Sequence, residues 1–218
     1  GTGRMSFALG RLFAAAGVGR ITVAPGEIVT EHDCGPLGPL PEHSGQPSHR
    51  ALTTMLDADY PSVHHVPHPH HLPDVTIIAC NAAFPDLELC DALVSQDRAH
   101  LPVVARGGGF VLGPFVIPGA SACVRCDELV NSDRDATNAW IATAMRTHPS
   151  PPHAFDAVLG TMVASVITLN ALAFIDQVSA PPLVNSVAAT TLPTGELVMT
   201  ATTPHPACGC AWSQSLNG

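Results

Sequence analysis

The sequence predicts an α/β fold: a Rossmann-like mixed sheet flanked by helices and followed by a C-terminal antiparallel extension. Three observations support this. Helical and β-branched segments alternate through the first half of the chain, and two strand-like segments joined by a tight turn lie near its end. Two pairs of cysteines, far apart in sequence, are spaced so that they could share one metal ion.

The first residues predict part of a βαβ unit. Gly1 and Gly3 open the sequence and lead into a predicted helix over 5–16, which should end at Gly17. Residues 20–23 then have the character of a buried strand. A glycine turn that cradles a phosphate at a helix N-terminus normally follows a strand. We therefore expect the chain to be a fragment that lacks its first strand.

The middle of the chain predicts alternating helices and strands. The run at 75–80 is continuous and β-branched, as in parallel strands that are buried on both faces. Helical spacing and turn residues set the other elements. They are a helix over 50–57, a helix over 86–98, a strand over 101–105 and a strand over 110–117.

The second half predicts a loop carrying two cysteines, two helical stretches and a strand pair. A largely polar helix is expected over 127–145 and a linker over 147–153. The stretch 157–175 is uncharged and long enough to span a bilayer, but acidic residues flank it and polar residues interrupt it. We expect a helix buried in a soluble core and no membrane contact. Strands over 183–189 and 196–201 follow.

Composition excludes several classes of protein. Hydrophobic residues make up 46% of the chain, which excludes a disordered protein. The net charge is −9 and all nine basic residues are arginine, which argues against nucleic acid as a partner. We expect no signal peptide before the first helix, and the seven cysteines are an odd number. We expect a cytoplasmic protein with reduced thiols.

The paired cysteines are the strongest chemical signal. Cys123 and Cys126 form a C-x-x-C, and Cys208 and Cys210 flank Gly209 in a C-x-C. Four thiolates suit a closed, tetrahedral and structural Zn²⁺ site. The alternative is a set of buried free thiols or a redox pair.

Other candidates are weaker. The histidines between His64 and His71 lie among prolines with no acidic residue, so we interpret them as a solvated surface loop. No G-x-S-x-G motif is present. Cys80 and Cys90 lie in or beside apolar segments, and Cys34 lies in a loop with no neighbouring cation, so all three are expected to be inert. No residue is predicted to act as a catalytic nucleophile, acid or base.

The glycine-led first helix, the late apolar helix and the paired cysteines together resemble the ubiquitin-activating-like superfamily of the ThiF, MoeB and HesA type. In that family a nucleotide-binding α/β domain adenylates the C-terminus of a small carrier protein, and a tetracysteine zinc is common. The resemblance implies zinc at Cys123, Cys126, Cys208 and Cys210. It also implies one ThiF-like domain over 1–218, with a nucleotide-binding half at 1–117 and a zinc-stapled half at 118–218.

The family's nucleotide-binding pattern is degenerate here. Pro25-Gly26-Glu27 replaces its acidic pair, and Asp33-Cys34-Gly35-Pro36 replaces the signature that carries its phosphate-binding arginine. Its lysine falls at Ser48, and its magnesium-binding aspartate falls at Ala82. Because phosphoryl chemistry depends on cations, ATP and Mg²⁺ become doubtful cofactors. Gly1, Gly3, Glu27 and Arg50 are the remaining candidates for a vestigial nucleotide site.

A longer resemblance covers HLPVVARGGGFVLGPFVIPGASACVRCDELVNSDRDATNAW and the late PHPACGC. These stretches are similar to ThiF-like proteins that accompany YcaO-type cyclodehydratases in azole-modified, bacteriocin-like peptide biosynthesis. The resemblance implies a catalytically degenerate scaffold that presents a precursor leader peptide to the YcaO enzyme, and it allows a homodimer. The alternatives are an ATP-dependent adenylyltransferase for a ubiquitin-like or sulfur-carrier protein and, less strongly supported, a dinucleotide-binding oxidoreductase.

Overall fold

The computed structural model describes residues 3–35, 37–65, 72–80, 82–147 and 156–210. They divide into two compact units. The first unit comprises Gly1–Pro73 and Asp156–Leu169, and the second comprises Asp74–Phe155 and Asn170–Gly218. One long helix contributes residues to both units.

The first unit is built around two helices, α1 (Arg4–Ala15) and α2 (Ser48–Asp59). Both were expected, and their observed ends lie within two residues of the predicted ones. Gly17 follows α1 with φ +89°. Apolar side chains at helical spacing, among them Phe7, Leu52 and Leu56, are almost wholly buried and form the core of this unit.

The expected strand over 20–23 is absent from the described part of the first unit. Arg20 makes only an isolated parallel bridge with His64. The Ile21 N–H donates to the His64 carbonyl (3.1 Å) and the His64 N–H donates to the Gly19 carbonyl (2.9 Å). Two hydrogen bonds do not propagate into a ladder, so the predicted βαβ half is not formed among these residues. Ile21 and Val23 instead pack as partly buried side chains against the helical core.

The second unit contains a five-stranded sheet in the order β1-β2-β3-β4-β5. β1 and β2 are parallel, and the other three pairings are antiparallel. The prediction of a mixed sheet with an antiparallel extension is therefore confirmed. The strands are β1 (Thr76–Cys80), β2 (His100–Arg106), β3 (Gly109–Leu112), β4 (Ser186–Thr191) and β5 (Val198–Ala201).

β1 lies at one end of the strand order. Its consecutive residues Ile78 and Ala79 point to opposite faces of the sheet and are both buried, so the centre of the strand is covered on both faces. β3 ends at Leu112 rather than at residue 117, because Gly113 and Pro114 follow and proline has no N–H to donate to a ladder. Beyond them, Phe115 and Val116 make only isolated bridges.

The second unit also contains three helices: α3 (Leu87–Ser95), α4 (Val124–Arg134) and α5 (Thr137–Thr147). The single helix expected over 127–145 is wrong, because Asp135 divides it. The Asp135 carboxylate accepts hydrogen bonds from the Thr137 N–H (2.9 Å) and hydroxyl (2.7 Å), which lowers the pKa of Asp135 and caps α5. The expected linker falls mostly on 148–153, outside the described residues.

The long apolar helix α6 (Ala157–Ile175) has the predicted bounds. Its burial is one-sided: Leu159, Val163 and Ile167 are buried, whereas Val158 is 79% exposed and Leu169 is 66% exposed. The expectation of a helix buried all round is therefore wrong. Among the described residues α6 is the one helix long and apolar enough to cross a membrane, a test that core helices of soluble proteins also pass.

Candidate functional site

The structure brings the four predicted cysteine ligands together within the second unit. The sulfur atoms of Cys123, Cys126, Cys208 and Cys210 all lie within 4.8 Å of one another. Cys126 is fully buried, Cys123 and Cys210 are nearly so, and Cys208 is half-buried. Val116, Ala122 and Val94 pack around the sulfur atoms as an apolar shell. A cluster that could hold a metal ion is therefore present.

The sulfur distances fit one tetrahedral ion. Zn–S bonds of about 2.3 Å at tetrahedral angles place sulfur atoms roughly 3.8 Å apart. The observed Sγ–Sγ distances are 3.7 Å for Cys123–Cys126, 3.5 Å for Cys123–Cys208 and 3.2 Å for Cys126–Cys210. Four sulfur donors leave no open position, so a bound ion would have a structural rather than a catalytic role.

Local backbone structure explains how each pair converges. The C-x-x-C does not lie in a loop as expected: Cys123 is the N-cap of α4 and Cys126 lies in its first turn. The N-terminus of a helix favours negative charge and thus the thiolate form. In the second pair, Gly209 has φ +73°, a left-handed conformation that glycine adopts without strain. The sharp bend lets both flanking sulfur atoms face the same point.

Crowding of the thiols perturbs their ionisation. Hydrogen bonding to Cys126, with burial, raises the pKa of Cys123, while the hydrogen bond from Cys123 lowers the pKa of Cys126 to about 4. Burial raises the pKa of Cys210 to about 12. One buried thiolate is therefore stable among its protonated neighbours, and four together need a cation to balance their charge.

A second layer of contacts orients the cluster. The backbone N–H of His205 donates to the sulfur of Cys126 (3.3 Å). The His205 ring accepts the N–H of Ala207 at Nδ1 (3.1 Å), so Nε2 carries the proton and donates to Asp133 Oδ2 (3.0 Å). Asp133 lies on α4, and His205 is thus tied to the same helix as Cys126. Sequence analysis missed this pair, although PHPAC places His205 three residues before a ligand.

The first unit holds a pocket at the residues aligned with the family's nucleotide site. Gly3, Glu27, Asp33 and Ser48 line it together with apolar side chains. Three of these positions are those at which the resemblance expects the acidic ribose ligand, the arginine signature and the lysine. The pocket has a volume of about 210 Å³, including the part open to solvent.

The chemistry of this pocket opposes a polyphosphate. Its polar side chains are the carboxylates Glu27 and Asp33 and the buried hydroxyl of Ser48, and no arginine lines it in the described part of the chain. The Asp33 carboxylate accepts hydrogen bonds from the Thr30 N–H (2.9 Å) and hydroxyl (2.7 Å), which holds it in place. Two carboxylates repel phosphate groups that an active site would neutralise with cations.

Arg4 is the cation nearest in sequence to the glycine turn, and its guanidinium is already engaged. It donates to the carbonyl oxygens of His32 (2.5 Å), Asp33 (3.1 Å) and Cys34 (3.2 Å). Three backbone acceptors satisfy most of its donors and fix the loop that carries Asp33. Sequence analysis did not identify this contact, because the partners lie about 30 positions away.

The other candidates lie outside this pocket. Gly1 is not among the described residues, and Arg50 is exposed on α2 and does not line the pocket. Ala82 is exposed and carries no carboxylate. In the histidine segment His64 is exposed and His65 faces Asp57 (3.1 Å), whereas residues 66–71 lie outside the described part of the chain.

The other two thiols of the second unit, the half-buried Cys80 and the buried Cys90, have no activated character. Burial raises the pKa of Cys90 to about 12 and also raises the pKa of Cys80. Both thiols stay protonated near neutral pH, and a protonated thiol is a poor nucleophile.

Comparison with solved structures identifies the fold. No protein-family model and no curated protein matches the chain. Solved structures do: Escherichia coli MccB with AMPCPP and MccA superposes with a TM-score of 0.77 at 15% identity, over 97% of this chain and 64% of that one. The microcin C7 biosynthetic enzyme MccB with N-formylated MccA gives 0.76 at 15%, over 97% and 65%. PaaA gives 0.67 at 16%, over 92% and 70%.

These likenesses show that the chain has the fold of the MccB structures. The mixed α/β fold predicted from the sequence is therefore confirmed. At these identities the comparisons address the fold alone, and the chain spans only about 64% of the length of the MccB structures it matches.

Proposed function

We propose that this chain belongs to a ThiF-like scaffold that binds a ribosomal precursor peptide without adenylating it. It presents the peptide to a YcaO-type cyclodehydratase during azole-modified, bacteriocin-like peptide biosynthesis. Two observations support a peptide ligand: MccB has been solved with the peptide MccA, and the long central stretch of this sequence resembles YcaO-associated proteins. The YcaO enzyme supplies the ATP-dependent chemistry in this proposal.

The strongest support for a scaffold that does not adenylate comes from the side chains of the pocket lined by Gly3, Glu27, Asp33 and Ser48, called here the Gly3 pocket. Glu27, Asp33 and Ser48 occupy it, and Arg4 is bound to three carbonyl oxygens instead of facing a phosphate. Transfer of an adenylyl group relies on cations that neutralise charge developing on the phosphates. A pocket lined by carboxylates lacks that stabilisation.

The alternative is an ATP-dependent adenylyltransferase that activates the C-terminus of a ubiquitin-like or sulfur-carrier protein. The observation in its favour is that MccB, which shares the fold, has been solved with ATP and with AMPCPP. This alternative requires cations from outside the pocket, with Arg50 as the candidate named from the sequence.

We further propose that the cysteine cluster holds one structural Zn²⁺. Cys123, Cys126, Cys208 and Cys210 would bind it and hold the segment after β5 against the start of α4. Thiolate donors at these spacings favour zinc over harder ions. The ion would supply folding free energy and no reactive position. Reduced thiols of this kind suit the cytoplasm, where we place the protein.

Nucleotide and peptide binding by the full-length protein test the proposal. Titration calorimetry with Mg-ATP should show no binding, and pyrophosphate exchange should show no turnover. The same preparation should bind its precursor leader peptide and a YcaO enzyme but not a scrambled leader of equal composition. Turnover in the exchange assay would establish the adenylyltransferase instead, and failure to bind both peptide and YcaO enzyme would remove the scaffold. Size-exclusion chromatography would report whether the protein is a homodimer.

A further inference from the structure

A second group of side chains in the second unit lies around the Phe84 ring. Arg106 ends β2, and Phe84 follows β1 in the chain. Because β1 and β2 are parallel, their carboxyl ends lie at the same edge of the sheet. Ligands of open α/β sheets bind outside the carboxyl ends of parallel strands.

Two guanidinium groups lie against one aromatic ring at this edge. The Arg106 guanidinium carbon is 5.2 Å from the centroid of the Phe84 ring, and that of Arg146 is 4.8 Å from it. Both distances are within the cation–π range of about 6 Å. Arg106 is exposed, and no hydrogen-bond acceptor for it is found among the described residues.

Arg146 has an unsatisfied donor. Its Nη2 donates to the Glu128 carboxylate, but its Nε is buried and has no acceptor in the described structure. A buried guanidinium N–H without a partner is uncommon and indicates a missing acceptor. A carboxylate bound beside Glu128 would supply one, and the planar guanidinium is suited to carboxylate oxygens.

The backbone holds both arginines in place. Arg106 pairs with Gly109 across a hairpin whose two turn residues, Gly107 and Gly108, both have positive φ, as a tight two-residue turn requires. Arg146 lies on α5, which Asn138 joins to α4 by donating to the Asn131 carbonyl (2.9 Å). Little ordering of the site is then needed when an anion binds.

The charges of the cluster favour an anion. Arg106 and Arg146 both lie against the Phe84 ring, and Arg146 is paired with the Glu128 carboxylate. Among the described residues no ion pair neutralises Arg106, so its positive charge is available to an anion in a chain whose net charge is −9.

We propose that Arg106, Phe84 and Arg146 form a binding site for the carboxylate of an acidic residue in an extended peptide. The assignment of the ligand to a peptide rests on the proposed function, in which the chain binds a precursor peptide. The existence of an anion-binding site does not rest on the proposed function, because the two guanidinium groups and the aromatic ring define it.

Arginine Nε–H signals of the ¹⁵N-labelled full chain provide the test. The probes are Ac-Gly-Glu-Gly-NH₂, its glutamine analogue Ac-Gly-Gln-Gly-NH₂ and inorganic phosphate. The signals of Arg106 and Arg146, identified by their loss in R106Q and R146Q, should shift with saturation on adding the glutamate peptide. We expect the glutamine peptide to bind at least fivefold more weakly.

Variants sharpen the result. R106Q should weaken binding of the glutamate peptide at least fivefold, whereas R20Q, an exposed arginine of the first unit, should leave it unchanged. E128Q, which removes the competing carboxylate, should strengthen it. Equal binding of the two peptides, or an unchanged affinity in R106Q, would overturn the site. If inorganic phosphate shifts the two arginine signals and the glutamate peptide does not, the site binds phosphate and the proposal of a peptide ligand is overturned. These outcomes do not depend on whether the natural precursor binds.

Discussion

The cysteine cluster and the Gly3 pocket differ in how closely they match the family pattern that the sequence resembles. At the cluster, all four sulfur donors are present and lie within 4.8 Å of one another. At the pocket, the aligned positions also converge, but Glu27, Asp33 and Ser48 carry no positive charge. The difference teaches that a fold can keep the arrangement of a site while its chemistry changes, because backbone packing and side-chain charge are set by different residues.

The largest effect should come from breaking the cluster. Replacing Cys123 with serine removes one of four donors, and metal-binding free energy in such sites is also folding free energy. We expect loss of bound metal and destabilisation by several kcal/mol, on the order of a lost structural metal or buried polar network. Metal analysis and thermal unfolding measure both. The matched control is Cys34→Ser, a half-buried cysteine outside the cluster; equal metal content in both variants would contradict the zinc assignment.

The next largest effect should come from Arg4, whose side chain holds the loop that carries Asp33 beside the pocket. Arg4→Gln removes most of the hydrogen bonds to the carbonyls of residues 32–34. Hydrogen bonds to charged groups contribute about 1.5–3 kcal/mol each when buried. Arg4 is only partly buried, so we expect about 2 kcal/mol in total. Urea unfolding gives the change in free energy, with Arg11→Gln on the same helix as the control. Equal stability of the two variants would show that the loop does not depend on Arg4.

A smaller effect should distinguish the contacts that support the cluster from its ligands. Asp133→Asn weakens the hydrogen bond that orients the His205 ring, while all four sulfur atoms remain. Changes to such supporting partners usually lower metal affinity by about 10–100-fold, and we expect about tenfold, because Asp133 is largely exposed. Competition with a chromogenic chelator measures it. Asp59→Asn, at the exposed end of α2, should leave the affinity unchanged.

The sequence predicted those features whose signals are local. The helices α1 and α2 follow from helical spacing, α6 follows from the length of its uncharged apolar run, and the cysteine ligands follow from the spacing within each pair. The split between α4 and α5 also had a local signal, since Asp135 and Thr137 form a cap that was overlooked. The carboxylates of the pocket were found by aligning positions rather than by physical reasoning.

The structural features that the sequence did not predict depend on contacts between residues that are distant in sequence. A strand at 20–23 needed a neighbouring strand, and the segment around His64 offers only one bridge. The exposed side of α6, with Val158 and Leu169, could not be predicted because apolar composition does not reveal how many neighbours a helix has. The contacts of Arg4 and His205 likewise join residues about 30 and 72 positions apart.

The separation of the two cysteine pairs has a consequence for the order of folding. Cys126 and Cys210 are 84 positions apart, and two strands of the sheet, β4 and β5, lie between the two pairs. Contacts between distant residues form slowly, because the intervening chain must first lose its freedom. We expect α3, α4 and the β2–β3 hairpin to form early and the two cysteine pairs to meet late. Metal uptake should then lag behind the recovery of secondary structure when the chain refolds. The metal would stabilise a fold that has already largely formed and would not nucleate it.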